Sequence, residues 1–182
     1  MWRSPFEIAI AFKMNTGFNS NVKVRAARVD DVDAVFGLIR ALAAYEGLSH
    51  QVVGDAETLK AHLFGERPYA EVLVAERDDR IVGFALFFQT YSTFLTRAGL
   101  YLEDLFVLPE ERGQGIGTAL IQQVAKIAVE RQCGRVEWAV LDWNAPAIAF
   151  YDKVGASVLP DWRICRVSDR ALQHLASSRT DK

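Results

Sequence analysis

The chain has 182 residues, of which 51% are apolar and 24% are charged, and its formal net charge is −2 at pH 7. These values are typical of one soluble globular domain that can bury a core without metals or disulfides. The 21 basic and 23 acidic residues are mixed along the chain, which argues against nucleic acid as a partner. No apolar run approaches the length needed to cross a bilayer, so no membrane partner is expected.

The cysteines and histidines give no sign of a metal or redox site. Cys133 and Cys165 are far apart and lack a CxxC spacing, which favours a reducing, cytoplasmic compartment. His50, His62 and His174 are scattered and have no ligand spacing with the cysteines. No metal is therefore expected.

The chain divides into an extension, a domain and a tail. Residues 1–21 weakly imitate a signal peptide, but Glu7 interrupts the apolar stretch and no small-residue cleavage site follows. They are interpreted as an N-terminal extension, disordered and derived from a vector or an early start codon, with a short docked element as the alternative. Residues 22–176 are predicted to form the domain, and residues 177–182 a C-terminal tail.

Apolar periodicity and turn residues predict ten elements along the domain. In chain order they are strand Val22–Ala26, helix Val32–Tyr45, helix Ala56–Phe64, strands Ala70–Glu76, Ile81–Thr90 and Leu100–Leu108, a helix from the glycine cluster to about Gln132, strand Val136–Leu141, helix Ala145–Val154 and strand Ile164–Val167. The order β-α-α-β-β-β-α-β-α-β predicts one mixed α/β domain.

The strongest local signal is a glycine-rich run between a predicted strand and a predicted helix. Its residues are Arg112, Gly113, Gln114, Gly115, Ile116, Gly117 and Thr118. Backbone N–H groups at a helix start, with the helix dipole behind them, form an anion site. The glycines let a phosphate approach the backbone closely, and the arginine adds a charge that can pair with phosphate.

Three phosphate ligands and one purely structural role compete for this run. A P-loop would need a lysine before the Ser/Thr, but Gly117 precedes Thr118. A dinucleotide fingerprint needs the spacing G-x-G-x-x-G immediately after the strand, whereas here the glycines alternate and residues 109–111 intervene, although Glu137 lies at a distance suited to a ribose. The pyrophosphate of coenzyme A is the third ligand. A turn that only tightens packing is the structural alternative.

The run matches the R/Q-x-x-G-x-G/A signature of the GNAT acetyltransferase superfamily residue for residue. From about Val22 to Val167 the chain resembles the diamine branch of that superfamily, the spermidine/spermine and thialysine acetyltransferases. The strings that carry the resemblance are Leu-Ala-Ala-Tyr-Glu at 42–46, Ile-Val-Gly-Phe-Ala at 81–85, Tyr-Leu-Glu-Asp-Leu-Phe-Val at 101–107, Trp-Asn-Ala-Pro at 143–146 and Phe-Tyr-Asp-Lys-Val-Gly-Ala at 150–156.

The resemblance implies a GNAT fold, with a central mixed twisted sheet flanked by helices and acetyl-CoA as the cosubstrate. Two parallel strands, here Leu100–Leu108 and Val136–Leu141, would splay around the coenzyme. The run at 112–118 would hold the pyrophosphate. The other residues implied to contact the coenzyme are Leu105, Phe106 and Val107 through their backbone, and Asn144 and Ala147 at the start of a helix.

Acetyl transfer needs a base and an acid. An alkylammonium has a pKa of about 10.4, so a proton must be removed before attack, and the departing thiolate must be protonated. The resemblance implies Glu103 as the base, and in a regular strand Asp104 would point to the opposite face as a structural residue. Tyr151 is predicted to be the general acid. A surface salt bridge at Glu103 and a core-packed Tyr151 are the alternatives.

A cationic amine favours carboxylates at a distance from the reacting nitrogen. The resemblance implies substrate contacts from Tyr45, Glu46, Glu103, Glu137, Trp138 and Trp143. Phe94 stands where the family often has tryptophan, and the hairpin connection is short. Thialysine, lysine-like amines or another small amine therefore compete with spermidine.

The predicted function is transfer of acetyl from acetyl-CoA to a primary amine of a small cationic di- or polyamine or of a thialysine-like substrate. An acetyltransferase that acts on protein amines and a catalytically silent coenzyme A-binding module are the alternatives. The resemblance also implies a homodimer.

Overall fold

A computed structural model describes residues 21–177, which divide between Ala139 and Val140 into two units. Except for Asn21 and Ser177, the predicted extension at 1–21 and the predicted tail at 177–182 lie outside the described residues. The subdivision at Ala139 falls inside the predicted strand Val136–Leu141.

The described part of the first unit contains five strands and three α-helices, linked in part by short 3₁₀ turns. They are β1 Val22–Ala26, α1 Val32–Tyr45, α2 Ala56–Phe64, β2 Glu71–Arg77, β3 Arg80–Ser92, β4 Arg97–Val107, α3 Ile116–Glu130 and β5 Val136–Glu137. The described part of the second unit contains α4 Ala145–Lys153 and α5 Asp169–Ser177. The two predicted helices between β1 and β2 thus begin and end at the predicted residues.

The five strands form one sheet in the order β1-β2-β3-β4-β5. The first four strands pair antiparallel, whereas β4 and β5 pair parallel. The predicted mixed α/β sheet with flanking helices is therefore confirmed.

Helices cover both faces of the sheet. On one face, Val35 and Leu38 of α1 and Leu63 of α2 pack in one buried cluster with side chains of β2, β3 and β4, including Phe84 and Phe106. Each such side chain contributes about 1.5–3 kcal/mol when fully buried. The neighbouring strand residues point to the opposite face, which α3 covers with a buried stripe. The buried residues of α3 are Ile116, Leu120, Ile121, Val124 and Ala128.

A β-bulge interrupts the pairing of β3 with β4. Leu86 lies opposite Asp104, and the next residue of β3, Phe87, lies opposite Leu102. Glu103 is therefore the extra residue of β4. Because this extra residue shifts the alternation of the strand by one position, it changes which face each following side chain occupies.

The predicted strand Val136–Leu141 is wrong in length. β5 contains only Val136 and Glu137, which pair with Leu100 and Tyr101. The bulge at Glu103 lies two residues beyond the last of these pairs on β4, and a bulge bends the strand that carries it.

The predicted strand Ile164–Val167 is also wrong. These residues are in no strand, and the side chains of Ile164 and Val167 are 72% and 48% exposed. A strand needs a pairing neighbour, and no described strand pairs with this segment. Helix α5 follows instead, at residues the sequence pattern placed outside any element.

Candidate active site

The face of β4 that carries Asp104 is set by the bulge. Paired residues share a face, so the partners of alternate β3 residues, namely Tyr101, Asp104 and Phe106, lie on the face covered by α1. Tyr101 and Asp104 therefore share one face, whereas the regular strand assumed in the sequence analysis would place them on opposite faces. Glu103 is exposed at the bulge and Asp104 is partly buried.

Three carboxyl groups influence one another on this part of the unit. Burial, followed by the negative charges of Glu103 and Glu46, raises the pKa of Asp104 to about 6. Burial also raises the pKa of Glu46, at the end of α1. The pKa of Tyr101 is raised by burial and then by Glu103 and Glu137. The predicted substrate residues Glu46 and Glu103 are therefore in one acidic cluster with Asp104.

The ion pairs among residues 21–177 involve carboxylates other than those of this cluster. They join Arg25 to Asp31 and Glu76, Arg77 to Glu111, Arg80 to Glu110, Arg131 to Glu71, and Arg135 to Glu137. None of them involves Glu46, Glu103 or Asp104. A cluster of carboxylates without a basic partner attracts a cation, most strongly where burial lowers the dielectric.

The substitution Asp104→Asn is expected to raise the free energy of unfolding near neutral pH by up to about 3 kcal/mol, at about 1.4 kcal/mol for each pKa unit. The pKa of Asp104 in the folded chain exceeds its ordinary value of 3.8. The folded state therefore holds the proton more tightly, and stability falls as the pH rises from about 4 to about 6.

Urea unfolding of the wild type and of Asp104→Asn should therefore differ most near neutral pH and converge near pH 4. Asp161→Asn, at an exposed position, is the matched control and should change stability little at either pH. A stability difference that is the same at both pH values would contradict a titrating, buried Asp104.

Arg112 links the end of α1 to the start of the glycine run. Its guanidinium lies 4.5 Å from the ring centre of Tyr45 and 5.4 Å from that of Phe106. Its Nε donates a hydrogen bond of 3.0 Å to the carbonyl oxygen of Val107. These are cation–π contacts that position Tyr45. The predicted pairing of the Arg112 charge with phosphate stays a prediction, and the structure adds a role that the motif did not indicate.

The glycine run has the backbone geometry that an anion site requires. Gly113 and Gly115 have φ values of 75° and 81°, in the left-handed region where glycine is favoured. Gly115 is the N-cap of α3, and no side chain caps this helix start. The first N–H groups of a 15-residue helix therefore remain available to a phosphate. A Cβ at Gly113 would meet no atom within 4 Å, so the loop borders open space.

The remaining predicted substrate residues of the first unit are near β5. Glu137 forms an ion pair with Arg135, with 2.7 Å between Oε2 and Nε. Its charge also raises the pKa of Tyr101, so Glu137 lies close to β4. Trp138 follows directly and is partly buried. The roles of both in substrate binding stay predictions.

The second unit contains four predicted site residues, which lie on α4 or just before it. Asn144 is 7% exposed and caps α4, with its side-chain oxygen accepting a hydrogen bond of 3.3 Å from the N–H of Ala147. This capping explains the Asn–Ala spacing locally. Tyr151 is partly buried near the end of α4, and Trp143 is 54% exposed. Their contacts with coenzyme or substrate stay predictions.

Two groups of residues were missed at the level of sequence. The charge coupling of Asp104 to Glu46 and Glu103 is not visible in the sequence, because periodicity alone cannot locate a bulge. The contacts of Arg77 and Arg112 were missed because they join segments that are distant in the chain. The sequence signal available for Arg112 is its position next to a glycine-rich turn, because an arginine there often binds an anion or packs on an aromatic ring.

No helix within the described range is both long and apolar enough to pass through a bilayer. Within the same range no group of three or more His, Cys, Asp and Glu side chains is arranged to hold a metal ion.

Comparisons with known proteins converge on one family. Residues 39–156 match the acetyltransferase (GNAT) family. Thialysine N-epsilon-acetyltransferase of Mus musculus is 39% identical over 168 residues, which cover 86% of this chain and 98% of the relative. L-ornithine N5-acetyltransferase of Arabidopsis thaliana is 34% identical over 203 residues, covering 87% and 89%. The solved structure of an integron cassette protein from the mobile metagenome of V. cholerae is similar at a TM-score of 0.72 and 27% identity, covering 88% of this chain and 100% of that one.

Proposed function

Because the chain belongs to the acetyltransferase (GNAT) family, we propose that it acetylates the side-chain amine of a small basic amino acid of the thialysine or ornithine type. The chain is an acetyl-CoA-dependent N-acetyltransferase that acts on amines of small substrates, as its sequence predicts. The choice among such amines is the finer proposal.

The acidic cluster of Glu46, Glu103 and Asp104 carries the proposal. None of its carboxylates takes part in an ion pair between described residues, and burial strengthens their attraction for a cation. Tyr45, held by Arg112, adds an aromatic surface next to Glu46. A substrate amine that arrives as an ammonium ion suits this surface.

The relatives support an amino acid before a polyamine. Thialysine and ornithine both end in a primary amine and carry an α-amine and a carboxylate at the other end of the molecule. A polyamine is cationic at both ends. Spermidine, spermine and putrescine therefore rank second as substrates of this chain.

Each candidate catalytic residue has one task. Glu103 accepts the proton that leaves the substrate ammonium, directly or through water, and the neutral nitrogen then attacks the thioester carbonyl. The new C–N bond forms as the C–S bond breaks, and the nitrogen releases a second proton to solvent as it becomes the amide. Tyr151 donates its phenolic proton to the departing sulfur, and its phenolate is reprotonated from solvent.

The coenzyme supplies the activated acetyl thioester. The uncapped start of α3 and the left-handed glycines fit its pyrophosphate, which Gln114, Ile116, Gly117 and Thr118 would contact through their backbone N–H groups. The backbone of Leu105, Phe106 and Val107, and Asn144 with Ala147, are the proposed partners of the pantetheine arm.

An amine panel tests the proposal. Purified protein with acetyl-CoA is given thialysine, ornithine, lysine, spermidine, putrescine or a peptide, and release of the coenzyme A thiol is measured. Thialysine or ornithine is expected to have the highest kcat/KM. Glu46→Gln is expected to raise the KM for that amine about tenfold while kcat changes little, because it removes one charge from the cluster.

Glu57→Gln, at an exposed position of α2, is the matched control and should leave both constants unchanged. Turnover on the peptide alone would move the activity to protein amines. Tight coenzyme A binding without turnover of any amine would replace the enzyme by a binding module.

The proposal also includes a homodimer in the cytoplasm. Cys133 and Cys165 are both free, which suits a reducing compartment. The second unit exposes a group of large apolar side chains, and such exposure is typical of interaction surfaces. They are Val158, Leu159, Trp162 and Ile164. Light scattering of the purified chain gives the oligomeric state.

A further inference from the structure

Arg77 lies at the end of β2, where a tight turn directs it towards the glycine run. The turn residues Asp78 and Asp79 have φ values of 49° and 61°, as a two-residue hairpin connection requires. Arg77 lies opposite Arg80 across this turn. The two arginines therefore leave the same hairpin end from adjacent strands.

The guanidinium of Arg77 joins two points of the segment that leads into α3. Its Nη1 forms an ion pair and hydrogen bond with Glu111 Oε2, and its Nη2 donates a hydrogen bond of 2.6 Å to Gln114 Oε1. The side chains of Arg77 and Glu111 are only 16% and 15% exposed. A fork with two partners at this burial is better ordered than a surface ion pair.

The two points, Glu111 and Gln114, lie on either side of Gly113. Glu111 ends the 3₁₀ turn Pro109–Glu111, and Gln114 lies between Gly113 and Gly115. Glycines lose more backbone freedom on ordering than other residues do. Without the contacts of Arg77, this loop would therefore lose more conformational entropy when it binds a ligand. Arg77 reduces that freedom before the ligand arrives.

The charge of Arg77 acts in the same direction. Glu111 would otherwise present an uncompensated carboxylate next to a loop that is proposed to hold a pyrophosphate. Like charges at short range repel each other, most strongly when they are shielded from water. Arg77 neutralises that carboxylate.

We propose that Arg77 is a positioning residue for acetyl-CoA. Arg77 braces the glycine run at 112–118, the proposed pyrophosphate loop, through Glu111 and Gln114 and does not contact the coenzyme. This inference rests on the proposed acetyltransferase function. The pair Arg80–Glu110 joins the same hairpin to the same 3₁₀ turn, but at 3.6 Å and with side chains 65% and 57% exposed. It serves as a built-in comparison, because exposed pairs of this kind contribute little.

The test compares Arg77→Gln with Arg80→Gln on two acetyl donors. Acetyl-CoA has the pyrophosphate, whereas S-acetylpantetheine carries the same thioester and lacks it. Arg77→Gln is expected to raise the KM for acetyl-CoA about tenfold, with kcat and the KM for the amine little changed. Its kcat/KM for S-acetylpantetheine should equal that of the wild type. Arg77→Lys keeps the positive charge but cannot form two hydrogen bonds in the forked geometry of a guanidinium. Its KM for acetyl-CoA should therefore lie between those of the wild type and Arg77→Gln.

Arg80→Gln should match the wild type on both donors. An equal loss on both donors in Arg77→Gln, or no loss on either, would overturn the inference. A lower melting temperature without a change in the KM for acetyl-CoA would also overturn it, because it would assign Arg77 to stability alone.

Calorimetric titration with coenzyme A keeps this inference separate from the proposed function. If the wild type acetylates no amine, the proposed function fails. The dissociation constant for coenzyme A then still tests whether Arg77 positions the loop. That constant is expected to rise about tenfold in Arg77→Gln and to stay unchanged in Arg80→Gln. Equal dissociation constants in the two variants would contradict the brace.

Discussion

Replacing Tyr151 by phenylalanine is expected to lower kcat by about 10²- to 10⁴-fold, the range in which a positioned proton donor contributes. The phenol has an ordinary pKa of about 10 and can protonate a departing thiolate within hydrogen-bond reach. The substitution removes one oxygen and keeps the ring, so the packing of α4 is preserved. The KM values for acetyl-CoA and for the amine should change little, since the hydroxyl acts only as the C–S bond breaks.

Steady-state kinetics with thiol detection measure this effect. Tyr91→Phe is the matched control, because Tyr91 is 61% exposed on β3 and has no proposed role in catalysis. Its kcat should equal that of the wild type. If Tyr151→Phe kept more than about a tenth of kcat, well above the loss expected for a proton donor, another group or solvent would be the acid.

The second large effect concerns the two adjacent carboxyl groups of β4. Glu103→Gln is expected to lower kcat by about 10²-fold or more at every pH, because it removes the proposed base. In the wild type, kcat/KM is expected to fall below about pH 6, and Asp104→Asn is expected to keep most of kcat but to remove that fall. That fall follows the protonation of Asp104, whose pKa is raised to about 6 by burial and by the charges of Glu103 and Glu46.

The sign of this pH effect follows from the charge of the substrate. Above the pKa the ionised cluster attracts the ammonium group, and below it the protonated Asp104 contributes no charge. Profiles of kcat/KM against pH for the wild type and both variants therefore separate the two roles. A fall near pH 6 that persists in Asp104→Asn would assign the titration to another group. A large loss of kcat in Asp104→Asn with little loss in Glu103→Gln would make Asp104 the base. Since the three carboxyls interact, the observed value belongs to the cluster as a whole.

Asp104→Asn connects function with stability. The substitution is expected to stabilise the fold near neutral pH and to weaken its activity towards cationic substrates there. Such opposite effects are typical of charged groups that are buried for function. According to this proposal, the ionised Asp104 lowers the free energy of unfolding and strengthens the attraction of the site for an amine.

Local patterns predicted most elements of the first unit. Helices Val32–Tyr45 and Ala56–Phe64 match the structure at both ends, because their apolar spacing and their turn residues lie within one window of the chain. Helix α3 begins at Ile116, inside the predicted glycine cluster. The family was predicted from the glycine run and the strings around it, and the match over residues 39–156 confirms it.

The missed features all depend on partners outside the local window. The strand at 136–141 pairs with β4 only as far as Glu137, and the bulge at Glu103, where β4 bends, lies more than 30 residues earlier in the chain. The strand at 164–167 has the right residues but no pairing neighbour among the described strands. The predicted orientations of Glu103 and Asp104 assumed regular alternation, which the bulge breaks.

The sequence by itself determined the element order up to α4, the glycine-rich start of α3, the family and the chemistry of acetyl transfer. These depend on side-chain type, on spacing and on backbone preferences that act over a few residues. Only the tertiary structure decided that Asp104 joins Glu46 and Glu103, that Arg112 contacts Tyr45, and that Arg77 contacts Glu111, 34 residues away. The physical reason is that burial, charge coupling and strand register are properties of segments brought together, and no single segment contains them.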